Sequence, residues 1–168
     1  MSKTDKKLNV GSFYKKLTVE KKYKMVLKEI EKIIGNQTTF LSDIQYLGKQ
    51  LFGIKFKGCY ASDMIPKLTD LQPYAILNLD KSTQSGSHWI SICKIPNKHE
   101  IMVYDSFGRS SVKIIPDIYK SHNGKILRTE KDAEQKKSEY NCGARSLSFI
   151  VCFDMYGSEY ASLIYGFS

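Results

Sequence analysis

The chain is poor in the residues that build metal sites and disulfide frameworks. Its four cysteines, Cys59, Cys93, Cys142 and Cys152, form no CxxC pair and have no histidine nearby at metal-ligand spacing. Structural zinc and a disulfide scaffold are therefore poor readings, and no metal ligand is assigned. Long apolar runs are also lacking. The longest, such as Ser146 to Phe153, is too short to cross a bilayer, and the lysine-rich N-terminus lacks the apolar stretch of a signal peptide. These absences lead to the expectation of a soluble, intracellular thiol protein with no membrane partner. No internal repeat, low-complexity block or linker divides the 168 residues, and 42% apolar and 12% aromatic content suits a single globular domain over 1–168. Acidic residues are in deficit, with 17 Asp and Glu against 26 Lys and Arg and a net charge of +9. Such a surplus draws a protein toward polyanions, DNA included. No RNA- or DNA-reading motif accompanies it.

What is present has clear periodicity. Residues 1–12 are expected to form a flexible basic arm, the first seven of them polar and without pattern. From Thr18 to Ile34 the apolar residues Val19, Tyr23, Val26, Leu27, Ile30, Ile33 and Ile34 recur at helical spacing, with Thr18 as N-cap and Gly35 beyond the end. A second helix is expected from Leu41 to Phe52, with Ile44, Leu47 and Leu51 on one face and Gly53 as a stop. The middle of the chain then changes period. Tyr74–Leu79, Trp89–Ile95 and Glu100–Tyr104 read as strands, the last two a hairpin turning through Pro96-Asn97-Lys98-His99. A mixed segment broken by Pro116 precedes a further strand from Lys125 to Thr129. Glu130 to Asn141 reads as a polar loop. Cys142 opens a helix that stops at Gly157, and Ser158 caps a short final helix to Tyr165.

Several residues in this layout carry chemistry. A thiol attacks as thiolate, and a helix N-terminus favours that anion through its unpaired N–H groups and dipole. Cys142 stands at such a start, and Gly143 beside it lets a substrate backbone approach closely. Cys93, in a strand, and Cys152, inside a helix, read as core residues. Among the three histidines, His88 begins a strand after the Gln84-Ser85-Gly86-Ser87 loop and is the best candidate base. His99 falls in a hairpin turn and His122 in a polar loop. An imidazole held in one tautomer needs an acceptor on its other nitrogen. His88 opens one strand of the hairpin and Asp105 closes the other, so antiparallel pairing brings both to one end of the sheet. Gln135 lies seven positions before Cys142 (142 − 135), where its amide could give the oxyanion a hydrogen bond beside the Cys142 backbone N–H.

The motifs Gly86-Ser87-His88-Trp89, Val103-Tyr104-Asp105-Ser106-Phe107-Gly108, Gln135 and Asn141-Cys142-Gly143 together resemble the adenovirus-type (adenain-like) maturation proteases and their relatives, the SUMO-specific proteases. The spacings, 17 residues from His88 to Asp105 (105 − 88) and seven from Gln135 to Cys142, fit the adenovirus-type branch. The likeness spans about Tyr74 to Gly157. Shorter stretches, Leu47-Gly48, Phe52, Phe56-Lys57-Gly58 and Tyr74 to Asp80, resemble the compact proteases of virophages and virus-like DNA transposons.

The resemblance implies an α+β, papain-like fold in which the helix bearing the catalytic Cys142 packs against a mostly antiparallel sheet carrying His88 and Asp105. It also implies a cysteine endopeptidase that cleaves capsid or other structural precursors at small, Gly-containing sites. In that reading Gln135 and Cys142 form the oxyanion hole, and Trp89 and Gly143 line the substrate channel. No cofactor is required, although relatives are activated by DNA or a viral peptide, for which Cys59 is a candidate tether. The location implied is the infected cell and the virion. Deconjugation of SUMO, ubiquitin or a related modifier is the alternative enzyme. A basic nucleic-acid-binding or scaffold protein on a degenerate protease fold is the alternative of another class.

Overall fold

A computed structural model describes residues 3–35, 41–79, 88–128 and 141–165. Among the described residues, five α-helices, α1 (Lys3–Ile34), α2 (Leu41–Phe52), α3 (Ser111–Ile114), α4 (Ile118–Ser121) and α5 (Cys142–Tyr165), accompany five strands, β1 (Phe56–Ala61), β2 (Tyr74–Asn78), β3 (Trp89–Lys94), β4 (Glu100–Tyr104) and β5 (Lys125–Arg128). The strands form one sheet in the order β1-β2-β3-β4-β5. Its centre is antiparallel, β2 with β3 and β3 with β4, while the outer pairs β1–β2 and β4–β5 run parallel. The α+β class expected from the sequence is the one observed. The sheet, however, is mixed rather than mostly antiparallel. Each parallel pair needs a crossover between strands, and these connections hold no simple pattern that a strand-by-strand reading detects.

Both faces of the sheet are covered. Tyr74, Ile76, Trp89, Cys93, Met102 and Tyr104 alternate onto one face and join the core made with α1, α2 and α5. Ala75, Leu77, Ile90, Ile92, Ile101 and Val103 point to the other, where Leu68, Ile115 and Ile118 cover them. Two-sided burial explains why β2 to β4 read as continuous apolar runs rather than alternating ones. Strand β1 escaped notice for another reason, since Lys57, Gly58 and the irregularity in its register between Phe56 and Gly58 break any period-two signal.

Helix α2 has the expected bounds, and β5 starts where expected. Helix α1 begins at Lys3, so Thr18 is an interior residue and the segment expected to be a flexible arm is helical from residue 3. Its Lys-rich sequence has no proline to stop the helix, and the missing apolar period was a poor guide because propensity, not only amphipathicity, extends helices. At the other end, Gly157 adopts φ 82° and ψ 175° inside α5. The interruption falls at the expected stop, with helix on both sides. The segment around Pro116 contains two single turns, α3 and α4, too short for periodicity to reveal.

Helix α1 buries Val19, Tyr23, Leu27 and Ile30. Tyr23 and Tyr104 share a buried hydroxyl hydrogen bond of 2.9 Å, and Tyr104 stacks on Phe149 of α5 at 4.6 Å with nearly parallel rings. One residue of β4 thus ties together α1, the sheet and α5. Asp105 follows it directly.

Candidate active site

The end of the β3–β4 hairpin opposite its turn holds the residues singled out by the sequence. The turn itself is as expected, with Asn97 at φ 59° and the Ile95 N–H bonded to the Glu100 carbonyl at 3.0 Å. The pairing of Ser91 with Tyr104 sets the register. Its continuation brings His88 and Asp105 together at the open end, where His88 Nε2 and Asp105 Oδ1 are 2.6 Å apart. His88 and Asp105 are 6% and 1% exposed, and Cys142 is 6% exposed. The Cys142 thiol hydrogen-bonds His88 and also receives the backbone N–H groups of Trp89 and Gly143. Since Nε2 faces the carboxylate, Nδ1 is the nitrogen left for the sulfur.

Helix α5 is held in place from two directions. Asn141, its N-terminal flanking residue, donates from Nδ2 to Glu31 Oε1 of α1 at 2.6 Å. Its Oδ1 accepts from Arg145 Nε at 3.0 Å. One turn into the helix, Ser146 Oγ donates to the Trp89 carbonyl at 3.1 Å. Trp89 therefore engages α5 through both backbone groups, its N–H at the sulfur and its carbonyl at Ser146.

Asp105 is the hub of the electrostatics. Besides His88, its Oδ1 accepts the Phe107 N–H at 3.1 Å, and its Oδ2 accepts the Arg109 N–H at 3.2 Å and Arg109 Nε at 3.1 Å. Gly108 makes this turn possible, with φ 63° in the left-handed region and its N–H on the Asp105 carbonyl at 2.9 Å. Burial works to raise the Asp105 pKa, but the His88 bond and charge, the Phe107 N–H and the Arg109 guanidinium hold it below the ordinary carboxylate range. Burial likewise works to lower the His88 pKa, and the bonds and charges of Asp105 and Cys142 overcome it and raise the value. For Cys142, burial alone would push the thiol up. His88, together with the Trp89 and Gly143 N–H groups, brings it below the ordinary thiol range. All three shifts run in the direction that favours a thiolate beside an imidazolium beside a carboxylate.

Of the other expected site residues, Gly143 sits in the first turn of α5. Trp89 is 5% exposed and belongs to the core shared with α1 and α5. Gln135, Gly86 and Ser87 lie outside the described residues. Cys93 and Cys152 are buried core residues, as expected. Cys59 is partly buried, and burial, only partly offset by Lys49, pushes its thiol up to about 12. His99 is exposed, whereas His122 is half-buried and their rings approach to 4.8 Å. Among the described residues no group of three or more His, Cys, Asp or Glu is placed to hold a metal ion. No described helix is long and apolar enough to cross a membrane.

Sequence reasoning missed Phe107 and Arg109. Phe107 stacks on the His88 ring at 4.6 Å and 24°, and the Arg109 guanidinium lies over the Phe107 ring at 5.1 Å from its centroid. Neither carried a sequence signal, because both belong to the turn that follows β4, where the Gly108 N–H closes on the Asp105 carbonyl, and a turn residue's reach is not periodic. A comparison with protein-family models and one with curated protein sequences each find no match.

Proposed function

We propose that this chain is a cysteine endopeptidase that matures viral structural proteins by cleaving precursors at small-residue, Gly-containing sites. The observation that carries the reading is the ordered contact of Asp105, His88 and Cys142, with the sulfur at the first residue of a long helix. The resemblance of the surrounding motifs to adenovirus-type maturation proteases supplies the substrate class.

In the proposed reaction the Cys142 thiolate attacks the scissile carbonyl carbon. The carbonyl oxygen becomes an oxyanion that takes the Cys142 backbone N–H and, on the resemblance, the Gln135 amide. His88 then gives its Nδ1 proton to the leaving amine as the C–N bond breaks, leaving a thioester. Water, deprotonated by His88, hydrolyses that thioester and restores the thiol pair. Asp105 keeps the proton on Nε2 and compensates the imidazolium charge.

Incubating the protein with co-expressed capsid precursors and mapping new termini tests the reading. Cleavage after small residues by the wild type and none by Cys142→Ala is the expected result, a loss of at least about 1,000-fold. Equal processing by both would remove Cys142 as nucleophile. Turnover confined to a ubiquitin-like modifier with a C-terminal reporter would replace the substrate class with deconjugation.

A further inference from the structure

Asp105 holds His88, Phe107 and Arg109 through its carboxylate. Oδ1 holds His88 Nε2 at 2.6 Å, and Oδ2 holds the main-chain and side-chain nitrogens of Arg109 at 3.2 and 3.1 Å. Arg109 then turns back over Phe107, whose other contact is the His88 ring. The imidazole is thereby restrained at its edge through the carboxylate and on its face through the phenyl ring. Both restraints lead to the same guanidinium.

We infer that Arg109 is a positioning residue for the thiol–imidazole pair, acting through Asp105 on the orientation and charge of His88 and through Phe107 on the plane of its ring. The inference deepens the proposed thiol-protease reading and rests on it. A guanidinium suits both tasks, because its Nε–H is a directed donor to a carboxylate while its flat face stacks on an aromatic ring. An ammonium at this place would keep the charge and lose the directed fork. The side chain is 42% exposed and Asp105 is 2% exposed, so water screens the guanidinium more than the carboxylate it holds. Its effect is accordingly on geometry and on the sharing of the Asp105 charge, rather than on the stability of the fold.

The charged and titratable groups meeting here are His88 ahead of β3, Asp105 and Arg109 after β4, and Cys142 on α5. Removing Arg109 takes one cation from beside Asp105, so the carboxylate favours imidazolium more and His88 titrates at higher pH. The freed carboxylate and phenyl ring also allow the imidazole to turn away from the sulfur, which slows reaction at the thiol. A purely structural residue would produce the second effect through loss of fold, without the first.

The experiment compares wild type, Arg109→Met and Arg109→Lys. His88 is followed by NMR titration of its ring, assigned with a His88→Gln variant, and Cys142 by its rate of alkylation with iodoacetamide at pH 6. Circular dichroism monitors the fold. The expected result for Arg109→Met is an upward move of the His88 titration and an alkylation rate lower by on the order of tenfold. Arg109→Lys returns the titration to its wild-type position and leaves the rate low. The inference is overturned if Arg109→Met matches the wild type in both measurements, or if the rate falls while the His88 titration stays in place. Failure of the underlying reading looks different. In that case wild-type Cys142 itself reacts as an ordinary thiol at pH 6, whatever Arg109 does to His88.

Discussion

At Cys142, burial and hydrogen bonding oppose each other, and the partners decide the outcome. The sulfur is out of water, which disfavours thiolate, yet His88 and two backbone N–H groups bring the pKa below the ordinary thiol range. Replacing His88 by Ala leaves burial opposed by the Trp89 and Gly143 N–H groups alone. The pH at which Cys142 becomes half-reactive toward iodoacetamide should then move up. The rate at pH 6 should fall, tenfold for each unit the thiol rises. A His88→Ala protein alkylated as fast as the wild type at pH 6 would show that the imidazole does not activate this thiol. Cys59 is an internal reference for the same measurement. Its burial is not met by comparable partners, so it should stay unreactive in both proteins.

At the scale of elements, the site exists because α5 and the β3–β4 hairpin are locked in one relative position. One lock is Ser146, a fully buried hydroxyl on the Trp89 carbonyl. Ser146→Ala removes one neutral hydrogen bond and should cost about 1 kcal/mol in urea melts. Because the lost bond lies one turn from Cys142, iodoacetamide alkylation should slow as well. A stability loss with unchanged alkylation would assign Ser146 to packing only. The hairpin was legible in the sequence, since Pro96-Asn97 punctuated two apolar runs. So was the interruption of α5, since Gly157 alone readily takes the left-handed φ found there. Strand β1 and the parallel pairing of the outer strands were not legible. Their partners are set by crossovers between distant segments, and neither local propensity nor period encodes which strand lies alongside.

For the whole molecule, the buried charges couple folding to pH. Asp105 has its folded pKa depressed below the unfolded value of about 3.9, so it contributes stability above that pH and loses it as pH falls through the folded value. His88 has its folded pKa raised. Its contribution is complete below the unfolded value of about 6.5 and disappears as pH rises through the folded value. Asp105→Asn should therefore be less stable at pH 7, by about 2 kcal/mol for the charge-assisted bonds lost. It should also lose less stability than the wild type between pH 5 and pH 2. Parallel urea-midpoint curves for the two proteins over that range would disprove the linkage.

The sequence by itself determined α2, the β3–β4 hairpin, the start of β5 and the helix start at Cys142, with His88 and Asp105 flanking the paired strands. Hairpin register and helix initiation are local properties, written in turn residues and short-range period. Tertiary structure alone decided which nitrogen of His88 meets the carboxylate, the burial of Trp89, and the tie from Glu31 through Asn141 to the start of α5. It alone also decided the second hold on Asp105 by Arg109. These depend on where side chains from separate segments point once both faces of the sheet are covered, and that direction is fixed only when the packing is complete.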